Sequence, residues 1–461
     1  GRQFAQFVFS LVFLPFDAYI HSDAILRTEA RVLITKRRLL EWTTSSDAQR
    51  GARKNRFGFF RAMWFPPVAS VAIGVLLLAT GHPTPYAWPL LYLWIVSPFV
   101  GWRLSRRLEP RPPRLSKHQH EFLGKISRRT WRYFEAFVTE QDNWLPPDNF
   151  QQHPAPLVAR RTSPTNIGLG FLADLTACDF GYCSVGCLLD RTQKTLATLA
   201  KLERYRNHFY NWYDTHTLRP LLPMYVSMVD SGNLAGHLLA FRQGLLELIQ
   251  TSILPARLFE GAGDTLRVLL DAARDPHMTG ESIARPLLAT DVLKTIDRIV
   301  SELAHPPTGL RAAFARLSKL SSSASEILAS ATLDDEVRWW AGAFARSISD
   351  HRDDLLHCAS WLALAPIPGG ANSVQVADLM SRLDAAPSLA KIAAMQSEAL
   401  AVIDAALLEL GGDDANATAW LKQLRQAVEE SSKHAAVRIK VLEAIAQECH
   451  DLADMDFSFL Y

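Results

Sequence analysis

The sequence has few cysteines, almost no strand-like alternation and little net charge, and each shortage narrows what it can be. Five cysteines among 461 residues cannot frame a disulfide-rich domain. Cys178, Cys183 and Cys187 are spaced by five and four, not as a Cys-x-x-Cys pair, and no histidine lies close by. They read as buried thiols rather than a zinc site. With Cys358 and Cys449 the count is odd, which suits a reducing compartment. A formal net charge of +2 gives the whole chain no electrostatic case for nucleic acid. Gly168-Leu-Gly170 lacks the preceding strand and the third glycine of a dinucleotide loop. His118 and His120, or His208 and His216, are too scattered for a metal site and read as surface or loop histidines.

Charge is also missing over one long stretch. Ala62 to Trp102 holds no Asp, Glu, Lys or Arg, 41 residues in a row. Gly81-His-Pro-Thr-Pro85 in its middle is turn chemistry. The flanking runs 62–80 and 86–102 are just long enough for the roughly 17–25 residues of a spanning helix. Trp64, Tyr86, Trp88 and Trp102 stand at the run ends, where aromatic belts form. The competing reading is a buried helical hairpin in a soluble core. Gln3–Phe16 looks like the end of an earlier span.

What charge there is lies unevenly. Residues 1–117 carry +11 and the remainder −9. Both flanks of the hairpin are basic and its turn is uncharged, so the positive-inside rule places everything after Lys117 in the cytoplasm. Residues 23–43 mix apolar and basic positions at helical spacing. They fit a helix on the inner membrane face, with Lys36, Arg37 and Arg38 near anionic headgroups, or one packed on the soluble region. The expected organisation is the end of a transmembrane helix (1–20), a basic amphipathic segment (21–61), a transmembrane hairpin (62–102), a Pro/Arg linker (103–117) and a soluble domain (118–461). The chain opens on Gly1 inside an apolar run and closes on Phe457-Ser-Phe-Leu-Tyr461 without a polar tail, so a piece of a longer protein is expected.

The soluble region alternates helical patterns with polar, aromatic loops. Helices are expected over 116–137, 169–179, 188–204 and 234–249, then through an Ala/Leu-rich stretch to 456. This predicts an all-α fold, a toroid of paired helices with loops gathered at one end. Three loops, 142–149, 163–166 and 211–233, are rich in Trp, Tyr, Asn and Asp. Aromatic faces stack on a pyranose ring while Asn, Asp and Thr bond its hydroxyls, so this mixture suits a sugar site. The candidate contacts are Trp144, Thr165, Asn166, Trp212, Tyr213, Asp214, Asp230 and Asn233. The bland alternative makes the tryptophans core plugs and the Asp and Asn helix caps.

Asn211-Trp-Tyr-Asp-Thr-His-Thr-Leu-Arg-Pro-Leu-Leu-Pro-Met-Tyr-Val-Ser-Met-Val-Asp-Ser-Gly-Asn-Leu-Ala235 resembles the bacterial cyclic β-1,2-glucan synthases. So do Thr162-Ser-Pro-Thr-Asn-Ile-Gly-Leu169, the run from Leu14-Pro-Phe-Asp-Ala18 to Arg37-Arg-Leu-Leu-Glu-Trp42, and Met455–Tyr461. The resemblance covers residues 1–250 in order, and little of 250–456.

It implies a membrane glycosyltransferase that builds linear β-1,2-glucan from UDP-glucose with Mg²⁺. It also implies a glucoamylase-like (α/α)6 barrel that closes the ring by transglycosylation, and a phosphorylase-like domain. On that basis this chain holds the last membrane helices and most of an incomplete barrel, in the inner membrane with the barrel on the cytoplasmic side. UDP-glucose, Mg²⁺ and the catalytic carboxylates belong to parts outside the sequence. The expected partners are β-1,2-glucan and the lipid bilayer, without nucleic acid, and no metal is expected in this portion. Two other readings remain open: a non-catalytic, membrane-tethered glucan-binding module, and a hydrolase of the same barrel class.

Overall fold

A computed structural model describes residues 2–37, 56–81, 84–106, 115–274, 288–331, 334–371, 373–412 and 414–460. Residues 38–55 of the basic 21–61 segment, Arg38 among them, and residues 107–114 of the linker lie outside them. The chain divides into two compact units, Gly1–Arg114 and Leu115–Tyr461.

The first unit is helical: α1 (Arg2–Glu29), α2 (Arg56–Ala62), α3 (Phe65–Ala79) and α4 (Ala87–Leu104). α1 continues without a break past residue 20 and into a π-helical turn, Ala30–Thr35. Among the described residues, one helix is long and apolar enough to cross a membrane, and it is this one, over Gln3–Thr35. The two expected hairpin helices both form, but α3 has 15 residues, short of the roughly 17–25 a span requires. The outward surface is apolar: Phe4, Phe7, Val68, Val71, Leu76 and Leu78 are exposed.

Two prolines sit inside these helices, Pro15 in α1 and Pro98 in α4. A proline has no N–H, so it frees the carbonyl four residues earlier. Both freed carbonyls find side-chain donors. The Trp94 indole Nε1 donates to the Leu11 carbonyl at 2.9 Å, and Ser97 Oγ donates to the Trp94 carbonyl at 2.8 Å. Ser70 Oγ reaches the Leu91 carbonyl at 2.6 Å and ties α3 to α4. Such internal satisfaction is what a segment without access to water needs. Trp94→Phe is expected to cost about 1–3 kcal/mol by orphaning the Leu11 carbonyl. Thermal unfolding in detergent checks this, with Trp88→Phe as the control that removes no hydrogen bond among the described residues.

The second unit is all-α, with two-residue strands clipping its loops. α5 (Lys117–Phe137) opens on a capping box: Ser116 Oγ accepts from Gln119 N, while the Gln119 side chain accepts from Ser116 N. α6 (Pro164–Asp179), α7 (Val185–Leu199), α8 (Met228–Leu248) and α9 (Leu258–Arg274) follow. Then come α10 (Thr290–Leu303), α11 (Leu310–Ser330), α12 (Asp335–Cys358), α13 (Val374–Asp384), α14 (Leu389–Ala394), α15 (Gln396–Leu410) and the long α16 (Ala415–Ala453). One hydrophobic core runs from Trp131 to Met455, with Trp340, Trp361, Phe241 and Phe344 among its largest buried members. Cys178, Cys183, Cys358 and Cys449 are buried and, like half-buried Cys187, free thiols.

α6 and α8 run side by side in the same direction. Thr165 faces Asp230, the Phe171 and Phe241 rings lie 5.2 Å apart, and Gly244 faces Leu175. Gly168 makes room for His237: a Cβ there would fall 2.5 Å from the ring Nδ1. Both helices begin earlier than their apolar patterns suggest. Ser163 caps α6 with Pro164 in its first turn, and Ser227 caps α8, accepting from Asp230 N at 3.2 Å. Asp230 and Asn233, expected in a loop before residue 234, are therefore in the first turns of α8.

α5 docks on α9 through a buried acid. Gly124 lies so close to Asp264 that a Cβ would fall 2.4 Å from its carboxylate. Tyr182 Oη and Arg267 each donate to Asp264 at 3.1 Å. Burial pushes the Asp264 carboxyl up to about 6, against the hydrogen bond from Tyr182. A raised folded-state value means stabilisation that is full below the ordinary carboxylate range and lost as pH rises through about 6. The melting temperature of the second unit is expected to fall between pH 5 and pH 7, and Asp264→Asn to flatten that slope. An unchanged slope in the variant would assign the pH dependence to other groups.

Candidate functional site

The N-terminal ends of α6 and α8 meet at one end of the parallel pair, and five of the sequence-predicted residues gather there. Thr165 Oγ1 donates to Asp230 Oδ1 at 2.5 Å, and Asn233 Nδ2 donates to Thr165 Oγ1 at 3.1 Å. Beside Thr165, Asn166 Nδ2 reaches Asp148 Oδ1 at 3.5 Å. Asp148 also takes two bonds from Arg161, Nε at 3.1 Å and a terminal nitrogen at 2.9 Å. The Arg161 guanidinium lies 4.9 Å from the centre of the Trp212 ring. A continuous chain of contacts thus runs from Asn233 to Trp212.

Local pairing sets this up. Strand β1 (Arg161–Thr162) pairs antiparallel with strand β2 (Tyr213–Asp214). That places Arg161 alongside the aromatic loop, with its side chain over Trp212. The two helix N-termini add unpaired backbone N–H groups and the positive ends of their dipoles, which favour the Asp230 carboxylate and hydroxyl oxygens. Asp230 and Trp212 are half-buried and Asn233 is exposed, so the cluster is reachable from solvent.

The other three expected contacts are placed elsewhere or used locally. Tyr213 is fully buried, its hydroxyl donating to the Glu203 carbonyl at 2.6 Å and accepting from Tyr210 N at 2.7 Å. Burial pushes that phenol upward. It is a core residue, a correction to its expected role. The Asp214 carboxylate closes its own turn, accepting from His216 N, Thr217 N and Thr217 Oγ1 at 3.0, 2.7 and 2.9 Å. Burial raises its pKa, but those bonds outweigh it and hold the group below the ordinary carboxylate value. Trp144 packs toward α7, with Lys194 Nζ 4.3 Å from its ring centre and its carbonyl accepting from Thr195. Among the described residues no hydrogen bond or ring contact joins it to the Thr165–Asp230 cluster.

Sequence reasoning passed over Asp148 and Arg161, which orient Asn166 and Trp212, and Tyr225, which is exposed and hydrogen-bonded through its backbone to Asn211. Asp148 stood in a quoted loop, but its partners are 13 and 18 residues away, beyond any spacing signal. His208 is also corrected. It is buried, its Nε2 donating to the Asp456 carbonyl and its Nδ1 accepting from Ser231 Oγ, each at 2.8 Å. Residues 454–457 are thereby clasped against the start of α8.

No protein-family model matches the chain. A solved structure from Bacteroides fragilis NCTC 9343, named for a glucoamylase, is 20% identical with a TM-score of 0.25. It covers 40% of this chain and 43% of that one, a likeness too low to argue for a barrel. The sequence comparison is stronger. Over 274 residues, 59% of its length, the chain is 38% identical to the cyclic β-(1,2)-glucan synthase NdvB of Rhizobium meliloti (strain 1021). The resemblance carried by the motifs is therefore shown, over a stretch that spans 10% of that relative.

Proposed function

We propose that this chain is part of a membrane-bound enzyme that makes cyclic β-1,2-glucan, and that its second unit binds the linear glucan and supports ring closure by transglycosylation. The observation that carries the reading is the cluster from Asn233 to Trp212, built on motifs that resemble those of cyclic glucan synthases, in a chain 38% identical to one over 274 residues. Hydroxyl-bonding groups stand beside an aromatic face at the common end of two parallel helices, as a pyranose needs. Parallel α6 and α8 with α7 between them in sequence support the reading of paired helices in an α/α toroid. The first unit lies in the inner membrane and the second on its cytoplasmic side, in keeping with the basic flanks and the apolar outer surface.

Ring closure breaks one glycosidic bond and makes another without net consumption of water, which suits a retaining pair of carboxylates about 5–5.5 Å apart. The cluster described here holds and orients glucan, and neither Asp148 nor Asp230 is assigned that catalytic role. UDP-glucose and Mg²⁺ belong to the chain-building step in other parts of such an enzyme. Among the described residues no three His, Cys, Asp or Glu side chains are grouped to hold a metal.

The test gives the full-length protein linear β-1,2-glucan without sugar nucleotide and weighs the products. Rings are expected, each lighter by one water than a linear chain of the same number of glucose units, together with the linear remainder released from the reducing end. Shorter linear sugars without rings would indicate a hydrolase, and glucan bound but unchanged would indicate a binding module.

A further inference from the structure

We propose that an open groove in the first unit is a second saccharide site, seating a segment of the glucose polymer against α1. The groove measures about 550 Å³, within the range of ligand clefts. Its lining combines Gln6, Ser10 and Asp17 with Phe9, Phe13 and Phe16 of α1, and is completed by Met63, Gly101 and Ser105. The polar groups stand at i, i+4 and i+11 of the helix, so they form one stripe about 17 Å long in the apolar stretch 4–20 of α1.

Four observations point to a sugar. First, this is the helix long and apolar enough to span a membrane, where an open polar stripe is costly unless something polar meets it. Second, the unit satisfies its freed backbone carbonyls internally, at Leu11 and Trp94. No described residue, by contrast, hydrogen-bonds the side chains of Gln6, Ser10 or Asp17. Third, the charged group in the lining is a carboxylate, and no Lys, Arg or His accompanies it. A carboxylate accepts from hydroxyls and repels phosphate, which disfavours an anionic headgroup. Fourth, Phe9 and Phe13 stack at 6.4 Å and supply the apolar walls that a pyranose face packs on.

This inference rests on the glucan reading above, and its test separates the two. A benzophenone amino acid is placed at Phe13 of the full-length protein in membrane vesicles, and another at exposed Val68 as a control. Radiolabelled UDP-glucose is supplied and the vesicles are irradiated. Labelled glucan joined to position 13 and not to position 68 is expected. Asp17→Leu should lower that yield by about tenfold or more, and Asp17→Asn, which still bonds hydroxyls, by much less. Cross-links from position 13 to lipid or to another protein segment alone would overturn the groove assignment. If linear glucan is still cyclised in that case, the function proposed for the second unit stands without it. If no ring forms, both readings fall.

Discussion

Replacing Trp212 by alanine is expected to weaken binding of linear β-1,2-glucan by roughly 10–100-fold while leaving the melting temperature almost unchanged. The ring is half-buried, and its recorded partner is Arg161, whose guanidinium lies 4.9 Å from the ring centre. An exposed cation–π contact contributes about 0.5–1 kcal/mol, so little fold stability is lost with it. A binding platform loses more, because the aromatic face supplies most of the desolvated area. Its neighbour provides the contrast. Tyr213→Phe deletes a buried hydroxyl that makes two hydrogen bonds, and should cost about 1–3 kcal/mol of stability with no direct effect on glucan. Titration calorimetry with a defined linear glucan, beside thermal melts, reads both. Unchanged affinity for Trp212→Ala would return that ring to a packing role.

Gly181→Ala should be the most damaging single change outside the site. Gly181 has φ +73°, a left-handed backbone that costs a side chain about 1–2 kcal/mol. An added Cβ would also fall 2.6 Å from Leu258 Cα and 2.7 Å from the Arg257 carbonyl, backbone that cannot swing aside. Overpacking adds about 1–3 kcal/mol, for a total of roughly 2–5 kcal/mol. The turn is held from several directions. Gly261 leans on it so closely that a Cβ there would meet the Phe180 carbonyl at 2.3 Å, and buried His351 donates from Nε2 to the Gly181 carbonyl at 3.1 Å. Domains are typically stable by about 5–15 kcal/mol, so the loss takes a large share. A lowered urea midpoint with unchanged slope is the expected readout. Gly232→Ala, with nothing within 4 Å of its Cβ in the first turns of α8, should instead stabilise by about 0.5–1 kcal/mol. Equal effects at the two glycines would refute this account.

The helices were legible because their signals are local. Ser116 before an apolar stripe marked α5 to within a residue, and the uncharged run 62–102 marked a helical hairpin about its Gly-Pro turn. Ser163-Pro164 is an equally local start signal for α6, obscured by its polar, loop-like neighbours. Span lengths were less legible: α1 runs past residue 20, while α3 stops at 15 residues.

By itself, then, the sequence determined an all-helical protein with an apolar, basic front, and motifs that tie it to a glucan synthase. The helices and the front follow from periodicity, caps and composition, which act over a turn or two of chain, and the motifs from resemblance to a known family. Which loop residues form the site was decided by the tertiary structure. Trp212 and Tyr213 are adjacent and equally aromatic, yet one lies over Arg161 and the other is in the core, because neighbours on an extended segment face opposite ways. Thr165 and Asp230 are 65 residues apart, and they meet because α6 and α8 pack in parallel with Gly168 and Gly244 letting them close. Contacts of that range are fixed by packing of whole elements, and no local pattern carries them.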